Sequence, residues 1–487
     1  MRTDGTAQTI PDPAADLAAR RTADLLCAGG DERIDIDPAT GLNRYYSAPR
    51  PRDVVAYASS TANDVSPAAF AHCRGLVAAG LPPYAQALDQ ARVSLRAAYR
   101  LPADCEIVFA PSGTDLEYVA LACVIGRTAG GVHNVLLGAD EVGSGCIQSA
   151  HGKHFARRTA LGVATEPGSP VAGLEAVSLA DISVRDAGGD AVPGDAITAA
   201  IATELTLAAR AGRHALVHTV HGSKTGLIQP DLAAIDALAS AHANLSFVVD
   251  ACQARITTAA LHAYLDRGMI VFLSGSKFMG GPPFSGFAIV PASVRAGANA
   301  LPGGYADIFR RAEWPADWPG ASLLEDSAND GLGLRIAASL FELERFQALS
   351  TARIDALVGT FTRTVRERVT EPLGLTAVAP HPPGREDERR DYPLEMRTLV
   401  TLDVSSLPHA RDFTAAVDLH RRMALAGIRL GQPVRCVRLP DGGGWGGTLR
   451  IGLSMPLMTS LAALTPASAQ AKLSADMDRI AGALRAG

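Results

Sequence analysis

Residues 245–286 read LSFVVDACQARITTAALHAYLDRGMIVFLSGSKFMGGPPFSG. Two apolar runs stand in this stretch, Leu245–Asp250 and Met269–Ser274, and each ends in chemistry. The first closes on Asp250, with Gln253 three residues on. The second is followed three residues later by Lys277, set among small residues and then Gly280-Gly-Pro-Pro283. Continuous apolar runs of this length read as strands buried on both faces by helices. Open α/β sheets place their ligands beyond the carboxyl ends of such strands. Asp250 and Lys277 are therefore site candidates. Taken singly, Asp250 is equally a loop aspartate satisfying turn amides, and Lys277 a surface lysine.

Working outward, similar runs occur at Glu106–Ala110, Asn134–Leu137, Ala215–Val220 and Phe287–Val290, with helical stretches such as Pro230–Ala243 between several of them. That alternation is the pattern of an α/β layer with a mostly parallel sheet. Before it, Ala14–Cys27 reads as one helix. After it, residues 301–332 are rich in Pro, Gly, Trp and Asp, and a long helix is expected from Leu332 to about Phe346. Pro380–Tyr392 reads as a polar loop. Strands recur at Thr398–Leu402, Ile428–Leu430 and Thr448–Ile451. The last helix starts with Thr465 as cap and Pro466 at its first position, and shows an apolar face of Leu473, Met477, Ile480 and Leu484. Gly442–Gly447 reads as a hairpin turn. The expected division is an N-terminal segment (1–56), a large α/β domain (57–334) and a smaller C-terminal α+β domain (335–487).

The 487 residues are 47% hydrophobic and 20% charged, with a net charge of −5, so a sizeable core is expected and a nucleic-acid footprint is not. No stretch of about 18 uncharged apolar residues and no signal-peptide pattern occurs, so no membrane partner and a cytoplasmic location are expected. The 7 cysteines are scattered without C-x-x-C, which argues against a zinc ribbon or a disulfide scaffold. His151 and His154 lack a third ligand nearby, so no metal site is expected. Of 45 basic residues only Lys153, Lys224, Lys277 and Lys472 are lysine. Chemistry that needs a primary amine has four candidates.

The stretch Phe109–Glu117 ends one strand and opens a helix, with Ser112, Gly113 and Thr114 at the turn. Glycine permits close backbone approach, hydroxyls donate, and a helix N-terminus offers free N–H groups, which suits a phosphate. A plain N-cap is the alternative. Neither a Walker pattern nor G-x-G-x-x-G after a strand is present.

A phosphate turn, then a strand-end Asp, then a strand-end Lys 27 residues later is an order that resembles the fold-type I pyridoxal phosphate (PLP) enzymes, within them the class V aminotransferase-like group. Asp250-Ala-Cys-Gln253 resembles the group's Asp-x-x-Gln. Ser274-Gly-Ser276-Lys277 is similar to its Ser-x-His-Lys, with serine for histidine. Leu449–Ser454 resembles its arginine-bearing C-terminal strand. The resemblance implies a PLP transferase architecture, with Lys277 forming the Schiff base and moving the substrate Cα proton, and Asp250 pairing with the pyridine nitrogen. It further implies Gln253 near O3′, phosphate contacts from Ser112, Gly113, Thr114, Ser274 and Ser276, and the substrate carboxylate on Arg450. Ser223 would also contact O3′. Lys224 would be a second base or a carboxylate ligand; a solvated loop lysine is the plainer alternative. Tyr57–Asn63 is similar to the strand lining the group's substrate pocket, so Ser60 and Asn63 are substrate candidates. The group's ring-stacking aromatic is missing near Asp140–Gly145, where Val142 or a more distant side chain would cover the ring.

The activity so implied is an aminotransferase-like reaction on an amino acid through an external aldimine and quinonoid carbanion. The alternatives are β/γ-elimination, replacement or C–C bond formation on an amino acid with a leaving group, an adenosylmethionine-like substrate being one case, and a non-catalytic binding protein of the same fold. A cysteine desulfurase is disfavoured, because Cys436 is the only cysteine after Cys252. A homodimer is implied, with Tyr305, Phe309, Trp314 and Trp318 as expected interface aromatics.

Overall fold

The computed structural model describes residues 13–381 (apart from 140 and 144), 397–440 and 442–487. The polar loop expected at Pro380–Tyr392 falls, beyond His381, outside them. The first described element is helix α1 (Pro13–Leu26), followed by strand β1 (Val55–Tyr57), α2 (Pro67–Ala79) and α3 (Tyr84–Tyr99). The central sheet is then laid down by β2 (Glu106–Ala110), β3 (Val132–Leu137), β4 (Val177–Ile182), β5 (His214–His221), β6 (Ile228–Gln229), β7 (Leu245–Asp250), β8 (Ile270–Ser274) and β9 (Gly286–Val290). Helix α4 (Leu116–Val124) follows β2 directly.

Among the described residues these eight strands form one sheet in the order β2-β9-β8-β7-β5-β3-β4, with β6 paired to β5. The pairs β3–β4, β3–β5, β5–β7 and β7–β8 are parallel, while β9 runs antiparallel to both neighbours. Every residue of β5, β8 and β9 is buried, as expected of strands covered on both faces. The fold is α/β with a large, mostly parallel sheet. Strand β4 was not expected: Val177-Ser-Leu-Ala-Asp-Ile182 sits at the sheet edge, mostly half-buried, and lacks a continuous apolar run.

The C-terminal part adds β10 (Thr376–Ala377), β11 (Leu399–Asp403), β12 (Ile428–Leu430) and β13 (Thr448–Gly452). Strands β10, β11 and β13 form an antiparallel sheet. Strand β12 pairs in parallel with β1, which ties the N-terminal stretch to the C-terminal third of the chain. The helix Pro466–Ala486 begins as expected, with the Thr465 side chain accepting from the Ser468 N–H, and buries Leu473, Met477, Ile480 and Leu484.

One expectation is corrected. Tyr305, Phe309, Trp314 and Trp318 are not displayed for a partner: each is 2% exposed or less within the chain itself. The stretch coils through three 3-10 turns that bring the rings together. Trp314 meets Trp318 at 5.1 Å, Phe309 at 5.3 Å and Tyr305 at 6.1 Å between ring centroids. The cluster shares a core with α4. Pro and Gly here shape a folded-back core element, so these rings supply stability and not an exposed contact.

Candidate active site

Strand ends β2, β7 and β8 deliver three groups to one cavity of about 350 Å³. Its wall carries Ser112, Gly113 and Thr114 from the turn after β2, Asp250 from the end of β7, and Ser274, Ser276 and Lys277 from the loop after β8. Ser60, Lys224 and Arg450 reach it from other parts of the chain.

The turn after β2 is built by Ser112. Its Oγ accepts the N–H groups of Thr114 (3.2 Å) and Asp115 (3.4 Å) and donates to the Asp115 carboxylate at 2.6 Å. Burial lifts the Asp115 carboxyl to about 7, against the opposing pull of the Ser112 bond.

The lysine loop is clamped. Asn63 Nδ2 donates to the carbonyls of Ser276 (3.1 Å) and Lys277 (2.6 Å), and the Phe278 N–H donates to the Gln253 carbonyl at 3.2 Å. Ser274 Oγ lies 2.7 Å from Ser276 Oγ and donates to the Ser285 carbonyl. Two glycines let the loop lie flush on the helix Asp330–Gln347. A Cβ on Gly275 or Gly281 would fall 2.3 or 2.0 Å from Ser339 Oγ. Neither position tolerates a side chain without displacing that helix.

At β7, Asp250 accepts the Cys252 N–H at 2.9 Å and forms no ion pair among the described residues. Behind it lie Glu117 and His218, both 1% exposed and 3.3 Å apart. Burial, then the nearby Asp250, pushes the Glu117 carboxyl well up, and burial pushes His218 down to about 4. Burial thus disfavours charge on both members of the pair behind Asp250. The Lys277 amine makes neither a hydrogen bond nor an ion pair among the described residues, so a carboxylate and an amine share the cavity with no ion pair to each other or to another described group.

Arg450, on β13, is 2% exposed. Its Nε donates to the Gln432 carbonyl (2.9 Å), Nη1 to the carbonyls of Lys224 (3.1 Å) and Ser60 (3.3 Å), and Nη2 to Thr61 Oγ1 (3.0 Å). One N–H of Nη2 remains. Four of five donors are thus spent on holding the wall among the described residues, which leaves one for a ligand. Burial lowers this guanidinium to about 10.

Lys224 is not a solvated loop residue. It is half-buried, lines the cavity, and its amine is lowered to about 8, first by burial and then by Arg450. Its loop is fixed by Glu141, whose carboxylate takes Arg185 Nε at 2.7 Å and the hydroxyls of Ser223 (2.7 Å) and Thr225 (2.9 Å).

Three sequence candidates lie off the cavity wall. The Ser223 hydroxyl is spent on Glu141 and turned from the cavity. Gln253 donates to the Ser60 carbonyl (3.2 Å) and accepts from Arg255 Nη1 (3.0 Å), bridging neighbours instead of facing a ligand. Asn63 holds the lysine loop from outside. Val142 packs in the main core, and Gly143 and Cys146 stand at the wall in its place.

Sequence reasoning missed Arg33, Arg44, Tyr45, Phe284 and Gln432, all on the wall. Arg33 lies between the rings of Phe155 and Phe284, 4.8 and 4.9 Å from their centroids, and forks onto Asp31. Nothing local marks these residues: arginine is this chain's default base, and only tertiary contact selects one.

No protein-family model and no curated protein matches the sequence. Solved structures do match. A cysteine desulfurase from Thermococcus onnurineus NA1 superposes with a TM-score of 0.51 at 16% identity, over 88% of this chain and 95% of that one. The ureidoglycine-glyoxylate aminotransferase of Bacillus subtilis gives 0.51 at 13% identity, over 90% and 99%. A mutant of the C-S lyase C-DES, with glycine covalently linked to its PLP cofactor, gives 0.52 at 16%, over 87% and 96%. The chain has the fold of these fold-type I proteins.

Proposed function

We propose that this chain is a PLP-dependent enzyme acting on an amino acid, aminotransferase-like in its chemistry. The observation that carries the reading is the pairing of an uncompensated carboxylate, Asp250, with an uncompensated amine, Lys277, in one cavity beside a hydroxyl-rich helix start. Such a donor set fits a group that is cationic at one edge, electrophilic at a carbonyl carbon and anionic at a phosphate. Lys277 would hold PLP through its amine, Asp250 its ring nitrogen, and Ser112, Gly113, Thr114, Ser274 and Ser276 its phosphate. When bound, PLP supplies an electron sink for the bonds at an amino acid's Cα.

The chain's own residues do the rest. Asp250 keeps a proton on the ring nitrogen, backed by the buried Glu117 and His218. Lys277 Nζ takes and returns the proton at the substrate Cα. Arg450 offers its remaining N–H and its charge to the substrate carboxylate. The buried wall around it excludes water from the reacting carbon. A homodimer belongs to the proposal, with its interface away from the 301–332 rings.

A second reading, elimination or replacement at the substrate side chain, draws support from Lys224. An amine lowered to about 8 in the same cavity could serve a leaving group while Lys277 serves Cα. Purified protein should turn yellow with PLP. Incubation with an amino-acid panel then separates the readings by product: a 2-oxo acid with an aminated cofactor, or a released leaving group. A colourless protein would leave the fold as a non-catalytic scaffold.

A further inference from the structure

Resting on the cofactor reading above, we propose that Arg33 is a phosphate ligand, so that the N-terminal segment closes the cup opened by Ser112–Thr114 and selects a phosphate monoester. Arg33 lies in sequence far from any strand-end motif, yet its side chain is only 11% exposed and stands on the cavity wall. Three contacts fix its plane. Asp31 takes Nε at 2.8 Å and Nη2 at 2.7 Å, and Cζ lies over the rings of Phe155 and Phe284 at 4.8 and 4.9 Å. The remaining edge points at the turn, with Nη1 3.1 Å from Thr114 Oγ1 and Nη2 3.3 Å from Ser112 Oγ.

The donor count is informative. Four of the five N–H groups have acceptors among the described residues, and the fifth sits on Nη1, the nitrogen beside Thr114. Ser112 spends its hydroxyl hydrogen on Asp115. Thr114 accepts from Arg33, and its own hydrogen has no acceptor among the described residues. A guanidinium N–H and a hydroxyl are thus both left over at a helix start, where an anion is favoured. A planar fork that meets Asp31 with two donors while packing on aromatic rings suits a guanidinium better than an ammonium, which explains arginine here beyond the chain's bias. Phe284 holds its ring on Arg33 from a left-handed backbone position (φ +74°), a conformation disfavoured for a bulky residue.

The experiment compares pyridoxal 5′-phosphate with pyridoxal, which lacks the phosphate. Apo-protein is titrated with each, and binding is followed by the absorbance of the Lys277 adduct. Arg33→Met should raise the dissociation constant for the phosphate form by about 20-fold or more, the usual scale for one charge-assisted hydrogen bond, and leave that for pyridoxal within about 2-fold. Arg33→Lys should fall between, which keeps the test open if the methionine variant folds poorly. Equal shifts for both ligands would make Arg33 a packing residue, and no shift would make it irrelevant; either overturns the proposal. If the wild-type protein forms no adduct with either ligand, the cofactor reading fails separately. Inorganic phosphate then tests the anion site alone: it should raise the melting temperature of the wild type and not of Arg33→Met, and equal responses would overturn the site.

Discussion

The wall carrying Ser112, Asp250 and Lys277 is built at strand ends of a single sheet, whereas the wall carrying Arg33, Lys224 and Arg450 is gathered from the N-terminal segment, a loop and a C-terminal strand. The first places chemistry where any open α/β sheet places it. The second has no such rule. Its residues are held by contacts spread along the whole chain, such as Arg450 on the carbonyls of Ser60 and Lys224. The difference points to a division of labour: the sheet wall, closed by Arg33, fixes the cofactor, and Lys224 and Arg450 on the assembled wall read the substrate. Substitutions on the first should then change chemistry, and those on the second should change binding.

The largest effect is expected at Lys277. Lys277→Ala should remove the yellow colour and lower turnover by at least about 10²–10⁴-fold, the range for losing a positioned acid–base group. Retained turnover would place the base on the other wall. Next, Asp250→Asn should keep the fold by circular dichroism and slow deuterium exchange at substrate Cα by about 10²–10³-fold, the scale of a lost preorganised charge. An unchanged exchange rate would assign the ring nitrogen's proton to another group.

On the assembled wall the effects should be smaller and fall on affinity. Arg450→Ala should weaken amino-acid binding by about 2–4 kcal/mol, and Arg450→Lys should recover only part of that. The colour should survive in both. Because Arg450 also ties Ser60, Lys224 and Gln432, the alanine variant should melt at a lower temperature; lost colour would show that the two walls are not separable. The smallest effect is expected at Lys224. Its amine, lowered to about 8, is charged below that pH and neutral above it. Affinity for an anionic substrate should therefore decline as pH rises through about 8. Lys224→Met should flatten that step and weaken binding only a few-fold at pH 7. A step that persists in the variant would belong to another group.

The two walls also differ in how far the sequence reveals them. Strand-end motifs are local, so Asp250 and Lys277 announce themselves through the apolar runs before them, whereas the reason for Gly275 and Gly281, which lie against Ser339, shows only in the fold. Arg33 sits in Asp31-Glu-Arg-Ile34, a stretch that reads as ordinary polar surface, and becomes special only when Phe155 and Phe284 close on it. Ser223 shows the reverse case. Its place in the loop after β5 suggests a ligand contact, but Glu141, arriving from another loop, captures the hydroxyl. The aromatic stretch 301–332 misleads for a third reason. Pro- and Gly-rich composition suggests an exposed strap, and nothing local says that its 3-10 turns gather four rings into a core.

The central claim is that Lys277 and Asp250 share a cavity because a cofactor links them. Borohydride reduction of the PLP-loaded protein, followed by peptide mapping, tests it most directly. The account predicts a pyridoxyl group on Lys277 and on none of Lys153, Lys224 or Lys472. Label on Lys224 instead would move the chemistry to the assembled wall and contradict the division drawn here, and absence of label on any of the four would contradict the cofactor itself.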